Sequence, residues 1–173
     1  IRIGKILEEY NFYWYEEPVP WDWYEEQKLV EQAINIPMAG GEEEFGMHGF
    51  RYLIGNEVFQ ILQPDIFYFG GMVRTMQVAR MAEALGLQIS PHISGGGLGF
   101  LYMLHMASVC PAAAEYHEFK MFETKDPNGT IIPVESKGGV FESVEGKIRA
   151  PEGSGLGVTI DPDYIKTHAP CAN

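Results

Sequence analysis

The feature that most constrains this 173-residue sequence is a period. A short apolar or aromatic run, then an acid or histidine, then a helical stretch recur five times. The runs are Phe12-Tyr13-Trp14-Tyr15, ending at Glu16-Glu17-Pro18; Ile36-Pro37-Met38-Ala39, ending at Gly40-Gly41-Glu42; Phe59 to Leu62, leading into Gln63-Pro64-Asp65; Leu87-Gln88-Ile89-Ser90, leading into Pro91-His92; and Ala112-Ala113-Ala114, before Glu115-Tyr116-His117-Glu118. The intervals from Glu16 to Glu42, Asp65, His92 and Glu115 are 26, 23, 27 and 23 residues. Such regularity marks stacked supersecondary units. A length near 25 residues suits one strand, one helix and two short loops, the βα unit of an α/β fold.

The segments between the runs have helical character. Trp23 to Ala33 carries Leu29, Val30 and Ala33 at helical spacing, and Val73 to Leu85 presents a broad apolar face closed by Gly86 as a left-handed cap. Leu98 to Val109 is apolar and halts at Pro111. The strand runs lack polar alternation, as expected of a parallel sheet buried on both faces. Each polar residue then falls at a strand's carboxyl end, where (β/α)₈ barrels keep their active sites. An open doubly wound sheet is the competing arrangement, but no G-x-G-x-x-G or phosphate loop follows the first run. The expected fold is therefore a (β/α)₈-type barrel over residues 1–119, of which five units are present. Five units do not close an eight-stranded barrel. With Ile1 rather than Met in first place, the missing strands are expected upstream.

Residues 120–173 differ, being rich in Gly and Pro, with a turn at Asp126-Pro127-Asn128-Gly129 and a hairpin pattern from Val140 to Arg149 around Glu145-Gly146. They read as a C-terminal extension.

Composition narrows the partners. A net charge of −12 argues against nucleic acid or an anionic membrane. Cys110 and Cys171 are far apart and form no C-x-x-C pair, so a reducing cytosol is the expected compartment. No stretch of eighteen apolar residues or signal-peptide layout is present in these residues.

Glu16 and Glu42 sit at adjacent strand mouths inside apolar runs. Two converging carboxylates repel each other, and a bound cation is a common remedy. Oxygen-only ligands favour Mg²⁺ or Mn²⁺ over zinc. The alternative is that Glu16 only caps or salt-bridges a strand end. Asp65 and His92 occupy the next two mouths, where an Asp bonded to one imidazole nitrogen fixes the tautomer and raises the basicity of the other. The Gly-rich turn after His92, Ser94-Gly95-Gly96-Gly97, leaves room for a ligand. Either Glu115 or Glu118 completes the ring. Gly70-Gly71 is expected to make a tight strand-to-helix turn, and His48, His105, His117 and His168 have no assigned role.

These motifs, in this order, resemble the mandelate racemase subgroup of the enolase superfamily. The resemblance runs from about residue 10 to 119 and continues in Ala150-Pro151-Glu152-Gly153-Ser154-Gly155-Leu156-Gly157. It implies that Glu16 and Glu42 are two of three carboxylate ligands to an essential Mg²⁺, and that Asp65 and His92 form the dyad whose His exchanges the proton. It also implies that Glu115 or Glu118 bonds the substrate carboxylate. The superfamily pairs a Lys or His base with Mg²⁺. The family's third ligand, an Asp one strand before Glu16, its Lys-x-Lys base and its N-terminal capping domain are absent from these residues. The implied activity is Mg²⁺-dependent removal of the proton α to a carboxylate, as in an acid-sugar dehydratase. Racemase, epimerase or cycloisomerase chemistry and a non-catalytic acid-binding relative are the alternatives. The expected partners are a small carboxylate substrate and further copies of the same chain in a homo-oligomer.

Overall fold

The computed structural model describes residues 1–93, 97–119, 134–135 and 143–167. The chain divides into two compact units, one formed by Ile1–His92 with Val109–Glu118 and the other by Ile93–Ser108 with Phe119–Asn173.

The first unit opens with a helix that the periodic reading did not include, α1 (Arg2–Glu9). It closes with Asn11 in the left-handed region (φ 55°) while the Phe12 N–H donates to Leu7 O at 3.1 Å. Phe12 thus belongs to a helix closure, and the expected strand over Phe12–Tyr15 is shortened to β1 (Tyr15–Glu16). Then follow α2 (Tyr24–Glu31), β2 (Met38–Gly40), α3 (Met47–Gly55), β3 (Ile61–Leu62), the one-turn α4 (Ile66–Phe69), α5 (Met72–Ala84) and β4 (Gln88–Ile89).

The strands pair in parallel in the order β1-β2-β3-β4, and Ala113 adds a fifth parallel step through a bridge to Ile89. Order in space therefore follows order in sequence without reversal. A doubly wound sheet requires a reversal at its switch point; a barrel does not. Met38, Ala39, Ile61, Leu62 and Ile89 are all buried, as strands covered on both faces must be. Ala39, Ile61 and Ala114 pack together with Trp14 against them. Phe59 lies so close over the end of β2 that a Cβ on Gly40 would sit 2.5 Å from its ring.

Helix α5 buries Thr75, Val78, Ala79 and Ala82, the i, i+3, i+4, i+7 stripe of a helix covering a sheet. Its end is a Schellman turn: Gly86 takes φ 71°, its N–H donates to Glu83 O, and the Leu87 N–H donates to Ala82 O. Gly70-Gly71 departs from expectation. It links two helices rather than a strand and a helix, with Gly70 closing α4 at φ 92° and Gly71 preceding α5. The physical reason is Asp65, whose carboxylate caps a helix of its own directly after β3.

The second unit holds α6 (Gly97–Val109), apart from its last residue, which clusters with the first unit; β5 (Val134–Glu135) paired antiparallel with β6 (Thr159–Ile160); and α7 (Pro162–Thr167). The Glu145-Gly146 turn is present, with both residues at positive φ between bridged Val144 and Lys147. The Asp126–Gly129 turn, the first residues of the hairpin pattern, Ser94–Gly96, His168 and Cys171 lie outside the described residues. Among the described residues no helix is long and apolar enough to cross a membrane.

Candidate functional site

The best-formed part of the site begins with Asp65. Three residues past β3 the chain turns, and the fully buried Asp65 carboxylate takes up the turn's orphan amides. Its Oδ1 accepts from the Phe67 N–H at 2.7 Å and the Tyr68 N–H at 3.1 Å. This helix-capping role leaves Oδ2 for a second task, and it meets His92 Nδ1 at 2.9 Å. His92 stands at the neighbouring mouth, three residues past β4. In the tautomer that donates from Nδ1, the Nε2 lone pair faces away from Asp65. That nitrogen lies 3.4 Å from Glu42 Oε2 and 4.0 Å from Glu118 Oε2.

Glu42 sits on the loop after β2. Burial pushes its carboxyl above the ordinary value of 4.5; His92 works against that, and Glu16, Glu118 and Glu43 add to it. Glu16, the last residue of β1, is exposed and accepts from Gln63 Nε2 at 2.9 Å. The structure thus brings Glu42, Asp65, His92 and Glu118 together around one imidazole, with the Glu16 carboxylate close enough to perturb Glu42. Glu115 is not brought in. Its side chain is exposed because the chain leaves the sheet after Ala114, and only three residues later does Glu118 return beside His92. Ser90 Oγ, donating to Tyr116 O at 3.0 Å, ties that returning segment to β4.

Three supporting residues escaped the sequence reading. Glu17, at φ 33°, accepts the Gly41 N–H at 2.8 Å; burial raises its carboxyl despite that bond, with Glu42, Glu16 and Glu43 adding to the rise. Buried Gln63, the first residue of the Gln63-Pro64-Asp65 motif, donates from Nε2 to Glu16. Buried Glu44 accepts from the Tyr24 hydroxyl and from the Gly46 N–H, in space kept clear by Gly49, where a Cβ would lie 1.9 Å from its carboxylate. Adjacency to Glu16 and position in the Gln63-Pro64-Asp65 motif were available signals for the first two. The Glu42-Glu43-Glu44 run gives no signal that its third acid turns inward.

The donor chemistry suits a hard divalent cation, since Glu16 and Glu42 offer only carboxylate oxygens and gain from having their repulsion relieved. Among the described residues no group of three or more His, Cys, Asp or Glu is arranged to hold a metal ion. Two clefts in the same unit, about 340 Å³ beside Tyr24 and Tyr52 and about 240 Å³ beside Tyr13 and Tyr116, share no residue with this cluster.

A parallel sheet in unreversed order, with an Asp–His pair and acids at its carboxyl ends, defines one class of protein: part of a (β/α)₈ barrel bearing its site on the carboxyl face. Residues 1–164 match the family described as Enolase C-terminal domain-like, and the chain belongs to that family. It is similar to the D-xylonate dehydratase of Haloferax volcanii, 29% identical over 171 residues that make up 96% of this chain and 39% of that one. It is also similar to the D-galactarolactone cycloisomerase of Agrobacterium fabrum, 28% identical over 170 residues, 95% of this chain and 44% of the relative. A crystal structure of a mandelate racemase/muconate lactonizing enzyme from Sulfitobacter sp. superposes with a TM-score of 0.76 at 28% identity, covering 99% of this chain and 41% of that one. The chain thus spans about two fifths of the length of these relatives, and the enolase-superfamily resemblance of its motifs is borne out.

Proposed function

We propose that this chain carries the Asp–His half of an active site that removes the proton α to the carboxylate of an acid sugar and expels the β-hydroxyl as water. The observation that carries the reading is the His92 imidazole, held at Nδ1 by a fully buried carboxylate at 2.9 Å and presenting Nε2 to a mouth lined by acids. Similarity to a sugar-acid dehydratase over 96% of the chain supports dehydration as the outcome.

An α-hydrogen beside a carboxylate is too weakly acidic for any side-chain base acting alone. Glu16 and Glu42 would hold a Mg²⁺ or Mn²⁺ ion, which when bound supplies the positive charge that makes the α-proton removable. Asp65 keeps the proton of the imidazole on Nδ1, so Nε2 is the atom that exchanges protons with the substrate. As base, Nε2 takes the α-proton while the C–H electron pair moves toward the carboxylate. As acid, it gives a proton to the departing β-hydroxyl as the C–O bond breaks, and the resulting enol becomes a 2-keto-3-deoxy acid. Glu118 faces the substrate's carboxyl group; two carboxyl groups can share a hydrogen bond only with a proton between them, so one of the pair is protonated in the complex.

The test uses the full-length protein with Mg²⁺ and a panel of aldonic and aldaric acids, assayed for 2-keto-3-deoxy acid. Keto-acid formation is expected with at least one member. The cycloisomerase among the relatives favours a second reading, isomerisation after the same proton removal. Exchange of an α-deuteron into solvent without keto acid would replace dehydration by that reading. No turnover and no exchange would overturn both.

A further inference from the structure

Glu17 is a residue that local preferences oppose at every level. Its backbone lies at φ 33°, in the left-handed region where glycine and asparagine are at ease and a longer side chain is strained. Its half-buried carboxyl stands among the like charges of Glu16, Glu42 and Glu43. A glycine would relieve the backbone and an amide would relieve the charge. What a residue of this length gains is one contact: its Oε1 accepts the Gly41 N–H at 2.8 Å.

That contact joins two neighbours that matter. Glu17 is bonded through its own peptide to Glu16, and Gly41 through its peptide to Glu42. The β1–β2 ladder ends at this point, with the Glu17 N–H donating to Ala39 O at 3.1 Å, so no further strand pairing fixes the spacing of the two mouths. Gly41 itself lies at φ 100° and so cannot be held by ordinary strand geometry. The strained turn at Glu17 carries its side chain across to the β2 mouth.

We propose that Glu17 is a positioning residue that sets the separation of the Glu16 and Glu42 carboxylates by clamping the Gly41 peptide. The inference rests on the reading of Glu16 and Glu42 as cation ligands and adds the part that holds them in register. Outer residues that orient metal ligands commonly change metal affinity by about 10–100-fold when lost.

The experiment measures Mn²⁺ dissociation constants of full-length protein by electron paramagnetic resonance, together with thermal melts, for Glu17→Gly, Glu17→Asn and Glu17→Gln. Glycine and asparagine both tolerate the backbone, and neither reaches the Gly41 amide, so folding is preserved in at least one of them. Both are expected to bind Mn²⁺ about 10–100-fold more weakly. Glu17→Gln keeps an acceptor oxygen at the same reach and should stay near wild type. Wild-type affinity in the Gly or Asn variant overturns the proposal, and so does a Gln variant as weak as the Gly one. Glu42→Gln is the control for the underlying reading. If it binds Mn²⁺ like wild type, the ligand assignment itself fails; if it loses Mn²⁺ while Glu17→Gly does not, only the clamp fails.

Discussion

Asp65 and Glu16 are both acids at the mouths of parallel strands, yet they are held very differently. Asp65 is fully buried, accepts two backbone N–H groups and meets an imidazole. Glu16 is exposed, ends β1 and, among the described residues, accepts from the Gln63 side-chain amide. The difference follows from position in the sheet. β3 has a strand on each side and a helix to cap, whereas among the described residues β1 pairs with β2 alone. On the proposed function, the acid that orients the proton-moving histidine is thus held from several sides, and the acid that would grip a cation from fewer.

His92→Asn should lower kcat by about 10²–10⁴-fold, the usual contribution of a positioned acid or base, and leave Mn²⁺ affinity unchanged. Steady-state kinetics beside metal titration checks both halves, and a variant retaining turnover would refute the dyad. A smaller effect tests the cap. Asp65→Ala should destabilise by about 1–2 kcal/mol through loss of the α4 cap, whereas Asp65→Asn, also a good cap, should fold as well as wild type and still lose activity. Denaturant unfolding of the two variants shows which role is which; equal stability of both would remove the capping role.

The smallest effect is a pH dependence on the cation side. The folded state raises the Glu17 and Glu42 carboxyls above 4.5, so it holds their protons more tightly than the unfolded chain does. Their contribution to stability is complete below pH 4.5 and is lost as pH rises through the raised values. Without divalent metal, melting temperature should fall across that range. His117, pushed down by burial, acts in the opposite sense near neutrality. The readout is therefore the difference between wild type and Glu42→Gln, whose curve should be flatter and higher at neutral pH. Identical curves would show that Glu42 carries no such penalty.

How legible all this was in the sequence varied with the physics of each element. Helix α5 was readable because its apolar stripe and Gly86 are local signals, and the structure shifts its ends by a single residue. The strand mouths were readable because buried parallel strands leave unbroken apolar runs, and the 23–27-residue spacing placed the acids one per mouth. Helix α1 was not read, although Asn11 closes it in a way that short-range rules allow. Its apolar residues Ile3 and Ile6 remain exposed, so no buried stripe distinguished it. Counting from a strand end cannot separate Glu115 from Glu118, because it does not show how the chain bends after the last pairing. The inward turn of Glu44 and the side-chain reach of Glu17 are hidden for the same reason: both depend on contacts between segments twenty or more residues apart or on single backbone angles.

Gln63 on the β3 side reaches Glu16 on β1, passing over the strand between them. Two strand spacings amount to about 9.5 Å, so the reach is natural only if the three mouths lie along an arc and the bond is its chord. Gln63 is also joined to Asp65 through Pro64, whose ring fixes one backbone torsion. The gap between the acid that would grip a cation and the dyad that would move a proton is thus ruled by a three-residue span stiffened at its middle. A substitution that loosened that span would shift both chemistries together, with neither acid touched.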